Sequence, residues 1–232
     1  MTLSKRVDSL VDHQLARWEA ASRPARGLPC VAIANLPAAG GEEVGRLVAD
    51  ALGYGLFGRE IVDEIAQRRG IRPDLMHGLD ERVRSVIDRY VGSVLGDRPF
   101  TESDYLREVV RAVTTLGRRG MAVVVGRGAA FILPPEQALR VLVAAPRDVR
   151  IERYAKQRGL DRAHAETGLA QEDARRIEFV RHHFGARLED PLGYDVVVNT
   201  GRLGIEPAAA AIVDLMHHRF PQLGAGRRSA LH

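Results

Sequence analysis

The sequence predicts an α/β protein built on a parallel sheet with helices on both faces. Three observations carry this reading. Apolar runs of strand length recur at residues 30–34, 121–125, 139–144 and 194–199. Each is apolar almost throughout rather than alternating, as strands covered on both faces require. Helical patterns lie between them, and strands alternating with helices give parallel sheets joined by right-handed crossovers.

The elements follow in order. Val7, Leu10, Val11, Leu15 and Trp18 fall at helical spacing and predict an amphipathic helix over 5–20. A turn-rich stretch, 22–29, follows, so residues 1–28 read as a helix and linker appended to a domain spanning 29–220. That helix docks either on the domain or on a second subunit, where it would support a homo-oligomer. The first strand runs into a loop of small residues, Asn35-Leu36-Pro37-Ala38-Ala39-Gly40-Gly41. Val44, Leu47, Val48, Ala51 and Leu52 then mark one face of a helix, and Gly53 sits where a C-terminal cap belongs. Further helices are expected near 59–69, 81–95, 102–119, 147–158, 171–184 and 206–219. Residues 70–105 carry many charges and no strand pattern, which predicts a helical insertion over one sheet edge. The tail, 221–232, reads as disordered.

Composition narrows the function classes. The chain of 232 residues is 45% hydrophobic and 28% charged, an ordinary globular balance. No run of about 18 apolar residues predicts a membrane helix, and residues 1–20 lack the apolar stretch of a secretory signal. The single cysteine, Cys30, permits no internal disulfide, which suits a cytoplasmic location. The net charge of +4 comes mostly from arginine. Arginine serves both solvated helix faces and phosphate recognition. Aromatic residues make up only 5%, which disfavours a stacking nucleic-acid binder.

A loop joining a strand to a helix is a natural phosphate cradle. Backbone N–H groups converge there, and the helix N-terminus adds partial positive charge. The general pattern is G-x-x-x-x-G-K-[ST]. With Gly40 as the second glycine, Asn35 stands at the first glycine, Gly41 at the lysine and Glu42 at the Ser/Thr. Glu42 and Glu43 complement the helix dipole. Against a polyphosphate, each charge pair at roughly 5 Å costs on the order of 3 kcal/mol at an effective dielectric near 20. Arg59 opens a predicted helix, and Gly126-Arg127-Gly128 follows a buried strand. Arg150 and Arg153 lie three apart on one helix face. Asp173, Arg175 and Arg176 form a D-x-x-R-like group, with Arg181 following at helical spacing. The pairs His182-His183 and His217-His218 point in different directions on a helix, so no metal site is expected from them.

Five blocks carry a family resemblance. Val31 to Gly45 reads VAIANLPAAGGEEVG, and Leu52-Gly53-Tyr54 precedes Phe57-Gly58-Arg59-Glu60-Ile61. Val124-Val125-Gly126-Arg127-Gly128-Ala129 follows, then Ala145-Pro146 with Arg150-Ile151-Glu152-Arg153. The last block is Tyr194 to Thr200 with Arg202-Leu203-Gly204-Ile205-Glu206. Together and in order, these resemble the cytidylate-kinase-like family, relatives of the P-loop nucleoside monophosphate kinases, over residues 30–218. The resemblance implies a P-loop kinase-type parallel sheet flanked by helices, with a helical insertion and a helical lid. It implies transfer of a phosphoryl group from ATP to a CMP-like nucleoside monophosphate, with Mg2+. The donor-phosphate loop would comprise Asn35, Ala38, Ala39, Gly40, Gly41 and Glu42. Arg59, Gly126, Arg127 and Gly128 would contact the acceptor. Arg150, Arg175 and Arg181 would belong to the lid, and Arg153, Asp173 and Arg176 would be catalytic. The departures concentrate in the loop: Ala34, Asn35, Ala38, Ala39 and Glu42 replace family residues, and no basic residue occurs over 31–44. Gly58 replaces an aspartate. The alternative is a nucleotide-binding or regulatory protein of the same fold without catalysis.

Overall fold

The computed structural model describes residues 28–59, 62, 103–221 and 223. The expected N-terminal helix, nearly all of the helix near 59–69, the helix near 81–95, the insertion over 70–105 up to residue 102 and nearly all of the tail lie outside the described residues.

Among the described residues, five strands form one parallel sheet in the order β2-β3-β1-β4-β5. They are β1 (Cys30–Asn35), β2 (Gly55–Phe57), β3 (Ala122–Val125), β4 (Ala138–Ala144) and β5 (Val196–Asn199). The helices are α1 (Gly41–Leu52), α2 (Ser103–Arg119), α3 (Ala129–Ile132), α4 (Arg147–Arg158), α5 (Arg162–Phe184), α6 (Thr200–Leu203) and α7 (Ile205–Arg219).

The continuous apolar runs have a simple cause. Successive side chains on a strand point to opposite faces, and both faces here are covered. Ala32, Ala34, Val124 and Leu142 pack beneath α2 and α3. Val31, Ile33, Val123, Val125, Val141 and Val143 pack beneath α1 and α7. Ile33, Phe57 and Leu139 are completely buried, each worth about 1.5–3 kcal/mol of apolar burial. A third, smaller core of Ile151, Tyr154, Ala165 and Leu169 joins α4 to α5. Among the described residues no helix is long and apolar enough to cross a membrane.

The structure adds to the sequence reading in three places. Strand β2 was not expected, because three residues bounded by Gly53, Gly55 and Gly58 give too little pattern. Helix α5 begins at Arg162 rather than near 171. Asp161 caps it, accepting the His164 backbone N–H at 2.9 Å, and its first turns bury only Ala165 and Leu169. Strand β5 begins at Val196, so Tyr194 and Asp195 are its lead-in. Asp195 is structural in place: its carboxylate accepts the Arg140 backbone N–H at 2.8 Å and faces Arg219 at 3.4 Å.

Candidate functional site

Two turns meet at the carboxyl ends of β1 and β3, where open α/β sheets bind ligands. The first joins β1 to α1. Leu36 donates its N–H to Val143 O, and Ala39 donates to Leu36 O, each at 3.0 Å. Ala38 and Gly40 are left-handed, at φ 56° and 82°. A Cβ at Gly40 would strike Ile205 Cδ1, and one at Gly41 would strike Asn35, so two glycines are needed for close packing. The first backbone bond back onto the turn runs from Val44 N–H to Gly40 O. The N–H groups of Gly41, Glu42 and Glu43 precede it and have no intrahelical acceptor.

The carbonyl oxygens of this turn are held by side chains from elsewhere in the fold. Arg176 of α5 donates to Asn35 O at 2.6 Å. Arg150 of α4 donates to Pro37 O at 3.4 Å. Thr200, at the end of β5, donates to Ala39 O at 2.6 Å. Arg150 is buried, and it also holds Ala145 O and pairs with Asp173 at 2.7 Å. Arg153 donates to the hydroxyl and carbonyl oxygens of Thr200, at 2.9 and 3.2 Å.

The second turn joins β3 to α3. Gly126, Arg127 and Gly128 are all left-handed, at φ 79°, 52° and 73°. A non-glycine residue there costs about 1–2 kcal/mol, and such strain gathers at functional sites. The ring of Phe184 covers Gly128, leaving no room for a Cβ. Beside this turn opens a cleft of about 470 Å³. Arg59, Arg127, Arg175 and Arg176 line it, with Asn35, Glu42 and Glu172. Phe131, Phe179, Val180 and Leu188 form its apolar wall. Phe131 stacks on Phe184 with centroids 5.7 Å apart, which ties this wall to the end of α5.

Burial lowers the pKa of the Arg176 guanidinium. Glu172 opposes that shift, while the positive charges of Arg59 and Arg127 add to it. An anion among these arginines would relieve the repulsion. Cys30 lies in the core, where burial raises its thiol to about 12, so it offers no nucleophile.

The cleft therefore gathers Asn35, Glu42, Arg59, Gly126, Arg127, Gly128, Arg175 and Arg176 from the residues singled out by sequence. Arg150, Arg153 and Asp173 lie behind the first turn and brace it instead. Arg181 is exposed and pairs with Glu178 at 2.7 Å, away from the cleft lining. Glu43 is exposed and is also outside the lining. Sequence reasoning missed Thr200 and the Phe131–Phe179 wall. Phe179 sits three residues after Arg176, so helical spacing from Arg176 would have found it. Among the described residues no group of three or more His, Cys, Asp or Glu side chains is arranged to hold a metal.

A parallel sheet in this order, with a glycine turn entering α1 and a cationic cleft at the strand ends, defines a kinase-type α/β protein. The sequence model of the cytidylate kinase-like family matches residues 30–202. The chain belongs to that family, and its function class is nucleotide kinase-like. A cytidylate kinase of Methanopyrus kandleri is 26% identical over 184 residues, covering 74% of this chain and 84% of that protein. One of Pyrococcus horikoshii is 27% identical over 122 residues, covering 53% and 63% respectively. The fold also matches the crystal structure of an uncharacterized protein from Eubacterium ventriosum, with a TM-score of 0.62 at 17% identity, over 81% of this chain and 98% of that one.

Proposed function

We propose that the cleft binds a nucleoside monophosphate of the CMP type, and that the turn after β1 takes the phosphates of ATP. The γ-phosphoryl group would pass to a phosphate oxygen of the acceptor, leaving ADP and a nucleoside diphosphate. The observation that carries this reading is four arginines, Arg59, Arg127, Arg175 and Arg176, lining one 470 Å³ cleft. That volume lies within the range of small-ligand sites, about 300–1,000 Å³. Planar guanidinium groups suit a monophosphate, and Phe131 and Phe179 offer a flat apolar wall to a base.

Phosphoryl transfer relies on positioning and on neutralising charge. Arg176 spans the two regions, lining the cleft while bonded to the backbone of the turn. It can thus hold the transferring group's charge without moving far. Magnesium typically needs one or two carboxylates beside substrate phosphates. Glu42 supplies an exposed carboxylate at the start of α1, so the residues fit an ion that arrives with ATP. When bound, that ion would neutralise charge on the phosphates.

The test is a transfer assay on the full chain, with Mg–ATP and a panel of monophosphates, beside calorimetric titration of each nucleotide. CMP-dependent release of ADP supports the proposal. Absence of both transfer and CMP binding refutes it. A second reading rests on Glu42 and the absence of any basic residue over 31–44: the protein binds the monophosphate without transferring to it. CMP binding with no ADP release would select that reading.

A further inference from the structure

Thr200 is 1% exposed and opens α6 at the end of β5. A guanidinium can only donate hydrogen bonds. The Thr200 hydroxyl oxygen therefore accepts from Arg153 Nη1, and its own hydrogen must turn elsewhere. The nearest acceptor is Ala39 O at 2.6 Å, ahead of Ala144 O at 3.3 Å. A directed relay results, from Arg153 to Thr200 to the carbonyl of Ala39.

This relay sets the direction of an amide. In a planar trans peptide the C=O and N–H bonds point opposite ways. Holding Ala39 O against Thr200 aims the Gly40 N–H away from Thr200. Arg150, holding Pro37 O, does the same for the N–H of Ala38. Glycine at 40 makes rotation of the Ala39–Gly40 peptide cheap unless something holds it. The hydroxyl of Thr200 is that hold. Ile205 of α7 also packs against Gly40.

We infer that Thr200, oriented by Arg153, is the positioning residue of the donor-phosphate turn. It fixes the Gly40 amide for the phosphates of a nucleoside triphosphate, in a turn with no cationic side chain of its own. The inference rests on the proposed reading of this turn as the ATP site.

Calorimetric titration of the full chain with Mg–ATP, and separately with CMP, tests it. Thr200→Val keeps the side-chain volume and removes the hydroxyl, while Thr200→Ser keeps the hydroxyl. Thr200→Val should weaken Mg–ATP binding about tenfold and leave CMP within about twofold, as loss of one buried hydrogen bond predicts. Thr200→Ser should restore Mg–ATP affinity to within about threefold of wild type. Should Thr200→Val not fold, Arg153→Met should show the same split at about half its logarithmic size. Unchanged Mg–ATP affinity, or proportionate loss of both nucleotides, overturns the inference. A wild-type chain that binds CMP but not Mg–ATP overturns the donor-site reading and this inference together. The wild-type titration thus separates the two failures.

Discussion

The turns after β1 and β3 look alike in backbone and differ in the source of their charge. Each leaves a buried strand, passes through left-handed residues and enters a helix. The turn after β3 carries its own cation, Arg127, and faces Arg59, Arg175 and Arg176 across the cleft. The turn after β1 carries none. Arg150 holds one of its carbonyls and Arg153 the threonine that holds another, while Arg176 reaches the Asn35 carbonyl from the cleft itself. The proposed acceptor cleft is thus built from side chains, and the proposed donor turn from oriented backbone. Substitutions should hurt the first where they touch the ligand, and the second where they touch the brace.

The largest effect belongs to the cleft. Arg127→Met should lower CMP affinity by about tenfold to hundredfold, the cost of losing charge-assisted hydrogen bonds to a phosphate. Mg–ATP affinity should stay within about twofold, and calorimetry reads both. A loss shared equally by both nucleotides would break the distinction.

A middling effect concerns Glu42, the one carboxylate of the turn that reaches the cleft lining. Under the proposed function it would repel bare triphosphate and meet the ion when magnesium is present. Glu42→Gln should therefore narrow the gap between Mg–ATP and metal-free ATP affinities by about threefold to tenfold, after allowance for solvent screening. Glu43→Gln should leave that gap unchanged. An unchanged gap in Glu42→Gln would refute the electrostatic account of this turn.

The smallest effect is one of stability and should touch both regions alike, since α5 lends Arg176 to each. The His164 backbone N–H, and then its ring, hold the Asp161 carboxyl below its ordinary value of 3.8. A lowered folded value means the cap stabilises α5 above the ordinary carboxylate pKa and fades as pH falls through the folded one. Asp161→Ala should melt lower than wild type at neutral pH, and the two melting temperatures should converge in acid. A gap that stays the same as pH falls through the acid range would contradict this.

Much of the fold was legible in the sequence because both sheet faces are covered, so β1, β3 and β4 announce themselves as unbroken apolar runs. Strand β2 did not, being three residues among glycines. The cleft was partly legible for a local reason: Gly126-Arg127-Gly128 is a contiguous signal, and a charged residue between two glycines is readable without a partner. The brace was not. Thr200 meets Ala39 across 161 residues, and Arg176 meets Asn35 across 141. Nothing at either end of those contacts distinguishes a bracing threonine or arginine from a solvated one. The same blindness hid the contacts of Arg150 and Arg153, which hold Pro37 O and the Thr200 hydroxyl outside the cleft lining.

The most direct measurement is a crossed titration: CMP and Mg–ATP against the wild type, Arg127→Met, Thr200→Val and the double variant. Side-chain and backbone sites that work separately predict that Arg127→Met weakens CMP alone, Thr200→Val weakens Mg–ATP alone, and the double variant shows both losses added in free energy. Each single variant weakening both nucleotides to the same degree would contradict the account.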